Sequence, residues 1–217
     1  MPRPNPLPSF VVTPAARAQF TTSRIAQATR LLGQQGRWSE QTLFVRALSE
    51  SLTNDAERVA AIEFGQQIGR PDLPVWVARS ARNDGYAFYV QPTFPTVSAA
   101  RSPRLWSITH GIARQESSFD RAAMSPVGAR GVMQLMVPTA REQAGKLGIA
   151  FNSARLTEPD YNMMLGTAYF QWLLDYWDGN IPLAVASYNG GMGNVRKWVN
   201  RYGDPRGRTD VIRWIES

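Results

Sequence analysis

Ser102–Asp120 reads SPRLWSITHGIARQESSFD, and its apolar residues recur with helical spacing. Serine at an N-cap followed by proline at N1 is a helix start, because proline has no N–H to leave unpaired there. Leu105, Ile108 and Ile112 then fall at i, i+3 and i+7 and define one apolar stripe. The spacing predicts a helix over 103–118. Glu116 comes four residues after Ile112, on that same stripe, at the C-terminal end. A carboxylate on an apolar face is costly to bury. Burial raises its pKa, and so does the negative end of the helix dipole. An acid kept protonated near neutral pH suits general-acid chemistry. Position alone leaves a second reading, in which Glu116 pairs with an arginine or caps a loop. Asp120, at the loop start, reads as a turn or capping residue. His110, alone in mid-helix, reads as a packed or hydrogen-bonded histidine.

Outward from this segment the pattern stays helical. Downstream, a loop rich in Gly, Ser and Pro spans 119–131, and helices are expected over 138–147, 159–177, 182–188, 194–202 and 209–216. Upstream, helices are expected over 16–32, 40–52 with Ser39 as cap, 56–68 with Asp55 as cap, and from Pro71 to Arg82. Their short, regular spacing is that of stacked helical hairpins. Residues 86–100, with two prolines and four aromatics, read as a connector. The expectation is an all-α protein: a helical-hairpin domain over 1–100 and a second α domain over 101–217. No run alternates with period two over a strand's length.

Composition narrows the chemistry. The hydrophobic fraction of 43% fits a globular chain, and the absence of cysteine excludes disulfides and thiolate ligands. One histidine is too few for the usual zinc site. No run of 18 apolar residues offers a membrane-spanning helix. The net charge of +7 is spread over both halves, with no Lys/Arg run that would mark a nucleic-acid site. It suits a basic solvated surface, or attraction to a polyanion such as an anionic cell wall. The N-terminus lacks the apolar core of a signal peptide, so an exported protein would be represented here in mature form.

The local motifs are more specific. Arg114-Gln115-Glu116-Ser117-Ser118-Phe119-Asp120 is followed by Ser125-Pro126-Val127-Gly128-Ala129-Arg130-Gly131-Val132-Met133-Gln134-Leu135-Met136. Leu165-Gly166-Thr167-Ala168-Tyr169 and Ala186-Ser187-Tyr188-Asn189-Gly190-Gly191 come later, in order. This set resembles the soluble lytic transglycosylases of the Slt type, whose catalytic domain is goose-lysozyme-like. Upstream, Gly69-Arg70-Pro71-Asp72-Leu73 and Ala78-Arg79 look like the helical linker of that family.

The resemblance implies a lysozyme-like α domain acting on peptidoglycan glycan strands in the periplasm, without cofactor or metal. It implies cleavage of the β-1,4 bond between N-acetylmuramic acid and N-acetylglucosamine. Glu116 would act as acid and then as base on the C6 hydroxyl, giving 1,6-anhydro ends. The substrate's acetamido group would assist, in line with glycosidases that work without a second carboxylate. Ser125, Gln134, Met136, Tyr169, Tyr188 and Asn189 would contact substrate. Two alternatives share the scaffold: a hydrolytic muramidase that positions water with Asp120 or another acid, and a glycan-binding fragment without turnover. The proline after Met136 stands one place later than the family pattern, and Gly190-Gly191-Met192 replaces its Ala-Gly-Pro. The family continues past Trp214-Ile215-Glu216-Ser217, so the expectation is a fragment of a larger periplasmic protein, shortened at its C-terminus.

Overall fold

A computed structural model describes residues 12–85, 91–97, 104–206 and Trp214. It is all-α. Among the described residues ten α-helices follow in order: α1 Pro14–Thr21, α2 Arg24–Gln34, α3 Trp38–Glu50, α4 Asp55–Gln67, α5 Asp72–Asn83, α6 Trp106–Ser117, α7 Val137–Lys146, α8 Pro159–Tyr176, α9 Ile181–Gly190 and α10 Met192–Tyr202. Short 3-10 turns lie at Gln91–Thr93 and Ser153–Thr157. Isolated antiparallel bridges join Met124 to Arg130 and Arg130 to Leu135. No described helix is long and apolar enough to cross a membrane.

The helix expected over 16–32 is two helices. The Thr21 and Thr22 hydroxyls bond back to Ala18 O, and Ser23, in extended geometry, caps α2 by accepting from Ala26 N. Three hydroxyl residues in a row offer the backbone a competing set of bonds, and the helix breaks there. Ser39 does not cap α3. Arg37 N bonds to Leu32 O across the Gly36 turn, and the helix restarts at Trp38 with no side-chain cap. At α4 the cap is Asn54 rather than Asp55: its side chain accepts from Glu57 N at 3.0 Å. Helix α6 starts at Trp106 with Leu105 in the cap position. The Ser102 cap lies outside the described residues, as does the 209–216 helix except Trp214.

Two apolar clusters organise the chain. Val45, Leu48, Ala61, Phe64, Leu73 and Val77 centre the first, among α1–α5. Ile112, Phe119, Met133, Met163, Leu165, Phe170, Leu173 and Leu183 centre the second, around α8, and Val75 and Val97 join it from the N-terminal side. Polar contacts also run between the two. Arg121 lies over the Trp38 ring at 4.5 Å, and Arg79 Nη2 donates to Arg114 O at 2.9 Å. His110 is nearly buried, accepts at Nε2 from Val97 N at 3.0 Å, and so carries its proton on Nδ1 toward Trp106 O at 2.7 Å. It clamps the 91–97 connector to α6, which is the packed role expected of it.

Candidate active site

Glu116 sits in the last turn of α6, half-buried, as the stripe Leu105–Ile108–Ile112 places it. Burial pushes its carboxyl above the ordinary carboxylate range, and the facing Asn189 side chain pulls partly back. Asn189 and Tyr188 are adjacent near the end of α9. Tyr188 is held well above the usual phenol range, first by burial, then by the charges of Glu116 and Tyr169. It therefore stays a donor, and its hydroxyl bonds to Met133 O at 2.8 Å. The Tyr169 ring lies 5.4 Å from that of Tyr188 and stacks on Trp172 at 6.0 Å. Burial, followed by the charge of Glu142, also raises the Tyr169 phenol. Glu116, Tyr188, Asn189 and Tyr169 thus form one wall, drawn from α6, α8 and α9.

Tyr188 ties this group to the 123–136 loop, whose backbone is fixed by three helices at once. From α6, Ser117 Oγ donates to Val132 O at 2.8 Å. From α9, Tyr188 donates to Met133 O. From α8, the fully buried Asn162 accepts from Met133 N at 2.8 Å and donates to Arg130 O and Leu156 O at 2.9 and 3.0 Å. Gly131 makes this possible. Its φ is +73°, and a Cβ there would sit 2.2 Å from Leu156 O and 2.3 Å from Asn162 Nδ2. Gly131→Ala is expected to lower stability by about 1–3 kcal/mol through backbone strain alone. A thermal melt checks this, and an unchanged midpoint would show that the loop tolerates a side chain there.

The remaining candidates fall within the loop. Ser125 Oγ accepts from Ala129 N at 3.0 Å, closing the Ser125–Ala129 turn. Gln134, at φ +47°, donates from Nε2 to Ala123 O at 3.1 Å and Gly131 O at 2.9 Å. Both side chains shape the loop that would meet a ligand. Met136 is 40% exposed at the N-terminus of α7.

Asp120 is not poised to activate water. It is buried, and its oxygens accept from Thr42 Oγ1 at 3.0 Å, Arg70 Nη2 at 3.3 Å and Ala122 N at 3.0 Å. The Ala122 bond is the turn role expected from sequence; the bonds to Thr42 and Arg70 were not foreseen. Asn162 was also missed, although a lone amide within the apolar run Tyr161–Leu165 was a visible signal.

A half-buried acid at the end of α6 thus stands beside Tyr188 and Asn189 of α9, and Tyr188 ties that end of α9 to the 123–136 loop. Comparison with known proteins places the chain in a family. Residues 98–211 match the Transglycosylase SLT domain, and the chain belongs to that family. The soluble lytic murein transglycosylase of Salmonella typhimurium is 38% identical over 113 residues, covering 51% of this chain and 17% of that protein. The chain thus matches less than a fifth of that relative's length. The fold superposes on the 70 kDa soluble lytic transglycosylase of Escherichia coli with TM-score 0.76 and 25% identity, over 98% of this chain and 34% of that one. It also superposes on an inactive glutamate-to-glutamine mutant of lytic transglycosylase Slt from Pseudomonas aeruginosa, with TM-score 0.71 and 27% identity, over 89% and 32% of the two chains.

Proposed function

We propose that this chain is a lytic transglycosylase that cuts the β-1,4 bond between N-acetylmuramic acid and N-acetylglucosamine in peptidoglycan. The observation that carries the reading is Glu116: one half-buried carboxyl, its pKa raised by desolvation, while the nearest acid in sequence is locked to Arg70. In the first step Glu116 gives its proton to the bridging oxygen as the C1–O bond breaks. The carboxylate left behind then takes the proton of the muramic acid C6 hydroxyl as that oxygen bonds to C1. No water enters, and the leaving chain keeps the proton it received. Asn189 would orient the carboxyl, and Tyr188 and Tyr169 would offer ring faces to the sugars. Ser125, Gln134 and Met136 would border the opposite side. That a glutamate-to-glutamine change inactivates the Pseudomonas relative supports a mechanism resting on one glutamate. On this reading residues 1–100 form a helical linker, 101–217 form the catalytic domain, and the site of action is the periplasmic murein.

The reading predicts a pH dependence. Glu116 must start protonated, so activity falls as pH rises through its pKa. Because burial raises that pKa, activity should persist to higher pH than an exposed glutamate would allow. Clearing of a purified sacculus suspension, followed against pH, tests this. An alkaline limb at the ordinary carboxylate pKa would sink the role given to the half-buried acid.

A further inference from the structure

Between Glu116 and Asp120 the chain does something costly. Ser118 and Phe119 both adopt left-handed backbone geometry, at φ 58° and 68°, and neither is glycine. Such residues persist only where their surroundings over-determine them. On the α6 side, Ser118 N bonds to Arg114 O and Asp120 N to Ser117 O. On the far side, the turn is held by Asp120, and Asp120 is held from the N-terminal helices. Thr42 of α3 donates to it at 3.0 Å. Arg70, with no exposed surface, reaches it at 3.3 Å while gripping Asp72 at 2.6 and 2.8 Å, Gln41 at 2.8 Å and Thr42 at 2.9 Å. A second arginine, Arg79 of α5, bonds to Arg114 O in the same helical turn as Glu116.

We infer that Asp120 is a positioning residue: anchored by Thr42 and Arg70, it holds the strained turn that aims Glu116, so that the N-terminal helices are part of the catalytic apparatus. This rests on the reading of Glu116 as the catalytic acid. Without the anchor the Ser118–Phe119 turn relaxes, the last turn of α6 loosens, and the carboxyl moves toward solvent. The titratable groups facing Glu116 are unchanged by this, being Tyr188 from α9 with Tyr169 from α8 behind it.

The test compares Asp120→Ala with Asp120→Asn. Alanine removes every side-chain tether; asparagine keeps one acceptor oxygen, which can stand in for Oδ1 toward Thr42, Arg70 and Ala122 N. Asp120→Ala is expected to lower kcat on murein by about 10- to 100-fold, with KM nearly unchanged, as misplacement by around an ångström would. Asparagine should restore most of that loss. A ¹³C titration of the Glu116 carboxyl, which needs no turnover, should move down toward an ordinary glutamate in Asp120→Ala and stay near wild type in Asp120→Asn. If Asp120→Ala does not fold, Thr42→Val should show a smaller shift of the same sign. A folded Asp120→Ala, or Thr42→Val in its place, with the wild-type titration and kcat overturns the proposal. A wild-type chain that fails to cut murein would refute the proposed function instead, and the titration would still decide the role of Asp120.

Discussion

Glu116→Gln is expected to lower murein cleavage by roughly 10²–10⁴-fold, the usual contribution of a general acid–base group. Glutamine matches glutamate in shape, but it can neither give a proton to the leaving oxygen nor take one from the C6 hydroxyl. Both halves of the reaction fail together. The fold should survive, because glutamine removes a charge that burial disfavours. The sign follows from the direction of the shift. A group whose pKa is raised by folding contributes less to stability as pH rises through that value. The glutamine variant, lacking this penalty, should therefore melt at or above the wild-type temperature at neutral pH. Binding to sacculi should persist, since the side chains around Glu116 are unchanged. Co-sedimentation and sacculus clearing separate binding from turnover. Clearing at the wild-type rate would remove Glu116 from the mechanism.

Arg70→Met carries the largest expected cost in stability. Arg70 is fully buried between two buried carboxylates, Asp72 and Asp120, and makes five hydrogen bonds among Asp72, Gln41, Thr42 and Asp120. Removing the one cation of such a group leaves uncompensated charge in the interior, at a cost of about 3–5 kcal/mol. For a chain of this size each kcal/mol moves the melting point by about 2–4 °C, so the loss should be of order 10 °C. The loss depends on pH in a defined direction. Burial already raises the Asp72 pKa, and without Arg70 it rises further. Protonation then relieves the strain, so the variant should recover stability as pH falls. Adding Asp72→Asn and Asp120→Asn should restore part of the melting point at neutral pH. A melt of Arg70→Met unchanged from wild type would mean that the buried group contributes nothing to the fold.

Much of the candidate site could be read from the sequence because its signals are local. The stripe Leu105–Ile108–Ile112 orients α6, and it puts Glu116 where the structure has it, half-buried at the helix end. Tyr188, Asn189 and Tyr169, which the family resemblance singled out, lie beside the acid or one another. The failures have physical causes. The break between α1 and α2 depended on Thr21, Thr22 and Ser23 competing for backbone groups, which apolar periodicity does not register. The bonds that Ser125 and Gln134 make within their own loop were not legible either, being a matter of turn geometry rather than residue type, and they leave the substrate role proposed for both residues open to test. The anchor of Asp120 joins residues 50 and 78 positions apart, and no local pattern predicts which arginine crosses between two helical clusters. Asp120 could be recognised as a turn residue, but not as the link to the N-terminal helices.

The central claim is that Glu116 cleaves murein without water. The most direct test is the mass of the soluble products released when this chain is incubated with purified sacculi. The expected products are 1,6-anhydro muropeptides, each lighter by one water than its reducing counterpart. Reducing-end muropeptides, carrying that water, would contradict it and assign the groove to a hydrolase.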